Sequence, residues 1–294
     1  MKKSIKRIVY SILGTLDFTR SLNQESNLIV LAYHTVTDRK KFEAQLHFLK
    51  NNYNIINVGE LEEHLFKGNK LLPNSLLISF DDGDISVLES GLPLLKKHKL
   101  PSVMFVITSL IDSDNTFWCR WVEKAFQNQG KSYAEARSKV NHLKKISNKN
   151  RMVYLNSLDP VNSRQLTKED LGTMQKGMMF IGNHTHTHPM VDMCTREEIE
   201  SELNKSRSCF EEWELPGYPI FAYPNGNWDE QSENLLKKNG IKIAFLFDHK
   251  INAKIINPFR ISRIRVNSDT EINEFKVKVS GLHSKLMKLK EKIS

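Results

Sequence analysis

Two short segments of the sequence carry side chains of the kinds that bind metals and transfer protons. The first runs from Ser79 to Gly83 and contains the adjacent carboxylates Asp81 and Asp82. Two neighbouring carboxylates are costly to keep ionised unless a positive charge compensates them. A metal ion would do so if one carboxylate binds it and the other stays free as a base. The alternative is a simple turn, which Asp-Asp-Gly also favours.

The second segment has three histidines within five residues, His184, His186 and His188. Residues four apart share one face of a helical turn, so we expect His184 and His188 to converge on one ion and His186 to point away. Neutral imidazoles are good ligands for zinc and similar divalent metals. Together with Asp82 they form a set that leaves coordination positions open, as a catalytic site requires. A bound ion lowers the pKa of its water and polarises a carbonyl oxygen.

Both segments follow short, continuous apolar runs of the kind typical of strands buried on both faces. Seven such runs occur, over residues 28–33, 76–80, 103–107, 178–181, 220–223, 243–247 and 261–266. Helical patterns separate them, and this alternation predicts an α/β fold with a parallel sheet. Seven or eight such units in about 240 residues favour a closed or nearly closed barrel, whose chemistry lies at the carboxyl ends of its strands.

Helix boundaries can also be predicted in the second half of the chain. Thr195 and Glu198 form a capping box that begins a helix. Asn227 is predicted to cap the next helix, and Asn239-Gly240 to end it.

Residues 112–170 interrupt the rhythm of strands and helices, and we predict a helical insertion over one end of the barrel. The insertion contains Phe117, Trp118 and Trp121. These aromatic residues either line a substrate groove or pack the insertion onto the body of the protein.

The motifs resemble those of the polysaccharide deacetylases, the NodB-homology group also called carbohydrate esterase family 4. Phe80–Gly83 matches the family's FDDG motif, His184–His188 matches HTxxH, and Ala222–Gly226 corresponds to a third motif that usually reads RPPYG. The resemblance covers roughly residues 27–268. It implies a distorted (β/α) barrel of seven or eight parallel strands, with Asp81 as general base and Asp82, His184 and His188 as ligands of one divalent ion, expected to be zinc.

The third motif departs from the family pattern. Ala222 replaces the arginine that usually supports the catalytic base, and either Arg263 or Arg265 is a candidate to replace it. Asn225 replaces a tyrosine whose backbone N–H helps to hold the oxyanion, a role that survives a change of side chain. Tyr223 and Asn225 are therefore the predicted substrate and oxyanion residues.

The general acid has two candidates. A late Leu-x-His motif usually supplies it, and His249 matches that motif poorly. Tyr33–Val36 instead resembles the YHxV segment of the poly-N-acetylglucosamine deacetylases, where the acid comes from an early strand. We therefore predict His34 as the acid, the alternative being a buried, hydrogen-bonded histidine at a strand end.

The resemblance implies a metal-dependent hydrolase that removes N-acetyl groups from an amino sugar and releases acetate. The substrate would be a polysaccharide or a lipid-linked glycan. A deformylase or an O-acetyl esterase would use the same site. A catalytically inactive glycan-binding protein is the alternative of a different class, although it would not need intact Asp81, Asp82, His184 and His188.

The formal net charge of +9 allows a nucleic acid, an anionic membrane or glycan, or no partner at all. No recognised nucleic-acid motif accompanies the basic residues, so we expect no nucleic acid. We divide the chain into a basic amphipathic segment (1–26), the deacetylase domain (27–270) and a basic C-terminal helix (271–294).

The expected location depends on the N-terminal segment and the cysteines. Lys2–Arg7 is basic and Ile8–Leu16 is a diluted apolar stretch, which favours reversible contact with an anionic membrane surface. A weak signal peptide would leave a similar trace, so export is the alternative. Three cysteines without paired spacing favour a reducing compartment. We therefore predict a cytoplasmic protein, peripheral at the inner membrane.

Overall fold

A computed structural model of the chain describes residues 28–252 and 255–282. Eight parallel strands form one sheet, with the order β7-β6-β5-β4-β3-β1-β8 and with β2 pairing β3 to the side. The strands are β1 (Ile29–Tyr33), β2 (Asn54–Ile55), β3 (Ser75–Phe80), β4 (Ser102–Val106), β5 (Met179–Asn183), β6 (Ile220–Ala222), β7 (Ile243–Phe245) and β8 (Ile264–Arg265).

Ten α-helices connect or follow the strands in the described residues. They are α1 (Arg39–Asn52), α2 (Val58–Lys67), α3 (Leu92–His98), α4 (Trp118–Asn128), α5 (Tyr133–Leu143), α6 (Asn148–Leu155), α7 (Lys168–Lys176), α8 (Arg196–Glu212), α9 (Glu230–Lys238) and α10 (Ile272–Val279). A π-helical turn, Val87–Gly91, leads into α3, and short 3₁₀ turns follow β4, β5 and β6.

The segment around β8 brings the two edges of the sheet together. Ile261 forms a parallel bridge with Phe245 of β7, and its carbonyl accepts a hydrogen bond from Leu246 at 2.7 Å. Three residues later, Ile264 pairs with Leu31 of β1. The sheet therefore curls into a distorted barrel, which confirms the predicted fold class.

The side chains of the strands alternate between two apolar layers. The inner layer includes Val30, Leu77, Phe105, Phe245 and Ile261, which pack together inside the curl. The outer layer packs the other strand face against the helices that surround the sheet. Successive strand residues point to opposite faces of the sheet. At the carboxyl end of a strand, the residue that follows an outward-facing residue therefore points into the mouth of the barrel.

Helices α4, α5 and α6 occupy the predicted insertion between β4 and β5. They share an apolar cluster of their own, in which Trp118, Val122, Val140 and Leu155 are buried. Phe117 and Trp121 pack against this cluster, so the aromatic residues serve the insertion's core, and Phe117 also lines the cleft described below.

The predicted strands and most of the predicted helix ends agree with the structure, and one predicted helix cap does not. All seven predicted strands exist, but the two-residue strand β2 was not predicted. The Thr195 capping box is confirmed, and Asn239 ends α9 as predicted. The prediction that Asn227 caps α9 was wrong, because Asp229 accepts the Ser232 N–H at 2.7 Å, and Asn227 instead hydrogen-bonds Asp192 and Asn225.

The predictions for the chain ends are covered only in part. The predicted N-terminal segment, residues 1–26, lies outside the described residues, and so do residues 283–294 of the predicted C-terminal helix. The described part of the latter contains α10. None of the helices in the described ranges is both long and apolar enough to cross a membrane.

Candidate active site

The ends of β1, β3 and β5 meet at the mouth of the barrel and line one cleft of about 330 Å³. His34 follows β1, Asp81 and Asp82 follow β3, and His184 follows β5. His188 and Asn225 lie in the same cleft. The structure thus brings together six predicted site residues that are as much as 191 positions apart in the chain.

Asp82, His184 and His188 form a compact cluster of ligand atoms. Asp82 Oδ1 lies 3.5 Å from the Nε2 atoms of both His184 and His188. The two rings are nearly perpendicular, with centroids 4.7 Å apart. All three candidate ligand atoms lie within 4.8 Å of one another, and both histidines are buried. His186 points elsewhere, as predicted, and its Nδ1 lies 2.9 Å from the Thr108 hydroxyl.

The prediction that His184 and His188 converge because they share one face of a helical turn was wrong. The loop after β5 is not helical. Thr185 and His188 instead have left-handed backbones, with φ of 68° and 58°. Side chains fix the loop: the Thr185 hydroxyl accepts the His188 N–H, and Glu202 of α8 accepts the N–H groups of His186 and Thr187. A left-handed backbone is uncommon outside glycine, and such strain clusters at functional sites.

The cluster fits a divalent ion. Two ligands about 2.0–2.1 Å from a tetrahedral zinc lie about 3.4 Å apart, close to the spacing of Asp82 from each histidine. His184 Nδ1 lies 2.8 Å from the Ala222 carbonyl, so this nitrogen carries the proton and Nε2 presents its lone pair to the cluster. Asp82 Oδ1 is buried and has no hydrogen-bond partner among the described residues. A metal would supply that partner.

The electrostatics of Asp82 and His188 agree with a ligand set. Burial alone would raise the pKa of Asp82, but its contact with His184 and the charges of His34 and His188 hold that pKa well below the usual range. Burial also lowers the pKa of His188 well below its usual value, which keeps the imidazole neutral. Asp82 and His188 are thus in the protonation state that a metal ligand requires. His184 differs: burial lowers its pKa, but its contact with Asp82 and the charges of Asp81 and Asp82 outweigh burial and raise that pKa, so an ion would compete with a proton for its Nε2.

Asp81 is held by a buried guanidinium. Arg263 donates to Asp81 Oδ1 at 2.6 Å and to Oδ2 at 2.8 Å, and its Nε donates to the Leu246 carbonyl at 2.7 Å. Burial alone would raise the pKa of Asp81, but Arg263 outweighs this effect and lowers it. Of the two candidates, Arg263 therefore occupies the supporting position, whereas Arg265 lies exposed on the rim of the cleft.

The two acid candidates lie in different places. His34 lines the cleft and packs edge-on against Phe247, with ring centroids 5.5 Å apart. Burial lowers its pKa, against the opposing effect of Asp82 and Asp81. His249 is exposed beyond Phe247 and is not among the residues that line this cleft. The geometry favours His34.

The third motif forms a tight turn, Pro224–Gly226, at the edge of the cleft. Its backbone hydrogen bonds run from Gly226 to Tyr223 and from Asn227 to Pro224, and neither uses the Asn225 N–H. Asn225 has a left-handed backbone, and its side chain accepts a hydrogen bond from Lys144 at 2.8 Å. Tyr223, predicted as a substrate or oxyanion residue, is fully buried in the apolar layer between the sheet and the helices and is not among the residues that line the cleft.

Two residues that contact the site from the insertion, Arg151 and Lys144, were missed, whereas Trp118 was among the aromatic residues considered for a groove. Trp118 and Arg151 both donate to the His188 carbonyl at 3.0 Å, and Lys144 contacts Asn225. Neither Arg151 nor Lys144 belongs to a recognisable motif in the sequence, so no local signal pointed to them.

The chain matches the family described as polysaccharide deacetylase over residues 68–244. The chain belongs to this family. It is accordingly a hydrolase of carbon–nitrogen bonds other than peptide bonds.

Curated relatives share most of the chain's length. The poly-β-1,6-N-acetyl-D-glucosamine N-deacetylase of Staphylococcus aureus (strain MRSA252) is 24% identical over 258 residues, which cover 84% of this chain and 73% of the relative. The protein of the same name from Staphylococcus epidermidis is 25% identical over 243 residues, covering 80% and 69%.

Solved structures of deacetylases share the fold. IcaB from Ammonifex degensii aligns with a TM-score of 0.64 at 19% identity, covering 88% of this chain and 98% of that one. The Streptococcus pyogenes deacetylase PplD, solved with acetate, aligns with a TM-score of 0.62 at 16% identity, covering 86% and 98%.

Proposed function

We propose that this deacetylase removes N-acetyl groups from an N-acetylglucosamine polymer, with a divalent metal ion held by Asp82, His184 and His188. The observation that carries the proposal is the meeting of that buried cluster with the Asp81–Arg263 pair in one cleft. The names of the staphylococcal relatives support β-1,6-linked poly-N-acetylglucosamine as the first substrate to test.

An ion at this cluster supplies a Lewis acid for the acetamide carbonyl and lowers the pKa of water. Asp81 is the general base that takes a proton from the attacking water. Arg263 binds both Asp81 oxygens, but each carboxylate oxygen can accept a second hydrogen bond. Arg263 thus orients the base without blocking it.

The remaining roles follow from position. The Asn225 N–H lies at the cleft edge and is proposed to donate a hydrogen bond to the oxyanion, as donors aimed at developing charge do. His34 is proposed to protonate the departing amine. Its place at the end of β1, in the same cleft as Asp81 and the metal ligands, supports this role.

The test is acetate release by the purified, zinc-loaded protein from β-1,6-linked N-acetylglucosamine oligomers. N-formylated and O-acetylated oligomers run in parallel distinguish the deformylase and esterase alternatives. We expect the His184→Ala/His188→Ala variant to lose stoichiometric zinc and activity together. Full zinc content in that variant would disprove the metal site. A zinc-loaded wild type that is inactive on every one of these substrates would disprove the proposed activity.

A further inference from the structure

Arg151, on α6 of the insertion, is a buried cation in an unusual position. Its side chain is 2% exposed, and it forms no ion pair with a carboxylate in the described part of the chain, although the charges of Glu202 and Glu198 lie near enough to act on it. Nη1 donates to the His188 carbonyl at 3.0 Å, and Nη2 donates to the Asn148 side chain at 2.7 Å. The guanidinium also lies 5.0 Å from the Trp118 ring. A buried guanidinium without a paired carboxylate is costly, and here the hydrogen bonds to His188 and Asn148 and the Trp118 ring offset that cost.

The point of attachment is the backbone of a proposed metal ligand. The His188 carbonyl accepts two hydrogen bonds, one from Arg151 and one from the Trp118 indole N–H, each at 3.0 Å. Both donors belong to the insertion, whereas His188 belongs to the loop after β5. His188 has φ of 58°, a conformation that costs free energy unless neighbours fix it.

We infer that the insertion positions a metal ligand, with Arg151 and Trp118 acting as positioning residues for His188; this inference rests on the proposed metal site. Fixing the His188 carbonyl fixes the peptide plane, and with it the direction of the side chain whose Nε2 lies 3.5 Å from Asp82. Phe117, at the start of α4, packs edge-on against the same ring at 4.9 Å. The insertion therefore contacts both the backbone and the ring of His188.

The chemistry of an arginine side chain suits the proposed role of Arg151. The guanidinium donates to two acceptors in different directions and stacks on an aromatic ring, which a lysine ammonium does less well. Partners that orient metal ligands typically change metal affinity by about 10 to 100-fold when they are removed. A residue that only packed the insertion would change stability without changing affinity selectively.

The experiment compares Arg151→Met with Arg207→Met as a matched control. Arg207 also donates to a backbone carbonyl and lies 4.9 Å from an aromatic ring, that of Tyr218, but on α8 and away from His188. Zinc affinity is measured by competition with a chromophoric chelator, and stability of the metal-free protein by urea unfolding. We expect Arg151→Met to weaken zinc binding by about 10 to 100-fold, and Arg207→Met to leave it unchanged.

Two milder variants cover a failure of Arg151→Met to fold. Arg151→Lys retains one donor and Trp118→Phe retains the ring, and both should weaken zinc binding less than Arg151→Met. Wild-type affinity in both of these variants would overturn the inference, as would wild-type affinity in a folded Arg151→Met. A wild-type protein that binds no zinc would instead disprove the proposed metal site.

Discussion

Adjacent residues Asp81 and Asp82 have opposite surroundings, and this difference assigns their proposed roles. Asp81 faces one fixed guanidinium, whereas Asp82 faces three imidazoles. The β3 strand directs Asp81 to Arg263, and the left-handed backbone of Asp82, with φ of 69°, turns the second carboxylate toward the histidines. A single turn thus separates a base from a metal ligand, although both side chains are chemically identical.

The first prediction concerns Asp81. Asp81→Asn keeps the shape of the side chain but removes its basicity, so turnover should fall by about 10² to 10⁴-fold, the usual contribution of a general base. Zinc content should stay near that of the wild type, because Asp82 and the histidines are unchanged. Asp84→Asn, which alters a nearby carboxylate that pairs with Arg120, serves as the control. Near-normal turnover of Asp81→Asn would exclude Asp81 as the base.

The second prediction concerns His34. An amine leaves poorly unless it is protonated, whereas a phenolate leaves unaided. His34→Ala should therefore lose far more activity on an N-acetylated oligomer than on an activated aryl ester, and kcat/KM is compared for the two substrates. If His249→Ala shows this selective loss and His34→Ala does not, the acid is His249.

At the scale of elements, the segment around β8 both closes the sheet and positions a residue of the active site. It links β7 to β1, and it delivers Arg263 to a carboxylate 182 positions earlier in the chain. The family arginine would come from β6, where this chain has Ala222. Because both strands face the same barrel interior, a guanidinium from either can reach the base. The barrel therefore tolerates a change in which strand supplies the support.

The third prediction tests that pair through stability. Arg263→Met leaves Asp81 buried without its partner, and breaking such a pair typically costs about 3–5 kcal/mol of unfolding free energy. In the wild type the lowered pKa of Asp81 stabilises the fold above the unfolded pKa of about 3.9, and this contribution is lost as pH falls through the folded value. In the variant, burial should raise the pKa instead.

Urea unfolding of the metal-free proteins at several pH values checks this reasoning. The difference in stability between wild type and Arg263→Met should shrink as pH falls from 7 toward 4, because protonation removes the buried charge in the variant. The double variant Arg263→Met/Asp81→Asn should recover much of the loss at pH 7. A difference that does not change with pH, together with no recovery in the double variant, would show that packing of Arg263 causes the effect.

Local sequence patterns predicted the strands and the meeting of Asp82, His184 and His188, because the apolar runs and the polar residues that follow them are short-range signals. Apolar runs indicate β1 and β3–β8, and the parallel arrangement then brings the polar residues after β3 and β5 to one mouth. Contacts between distant elements were not predictable in this way. Neither the choice of Arg263 over Arg265 nor the contact of Arg151 with His188 has a local signal, because each depends on which way a side chain points after folding.

At the scale of the whole molecule, the net positive charge of the chain is concentrated at its two ends. Lys2, Lys3, Lys6 and Arg7 precede the diluted apolar stretch Ile8–Leu16, and further lysines crowd the last twenty residues. The N-terminal residues lie outside the described part of the chain. A Lys or Arg near an anionic membrane surface adds about 1 kcal/mol of attraction, which falls off within a Debye length.

The last prediction is that these residues attach the protein reversibly to anionic membranes. Deleting residues 1–20 should release it from anionic vesicles in a sedimentation assay while sparing activity on a soluble oligomer, and added salt should weaken binding of the full chain because it screens the charges. Replacing the four basic residues by glutamine, which spares Ile8–Leu16, separates charge from apolar insertion. N-terminal sequencing of protein recovered from cells decides against this location if the mature chain begins beyond Leu16, since that result means export.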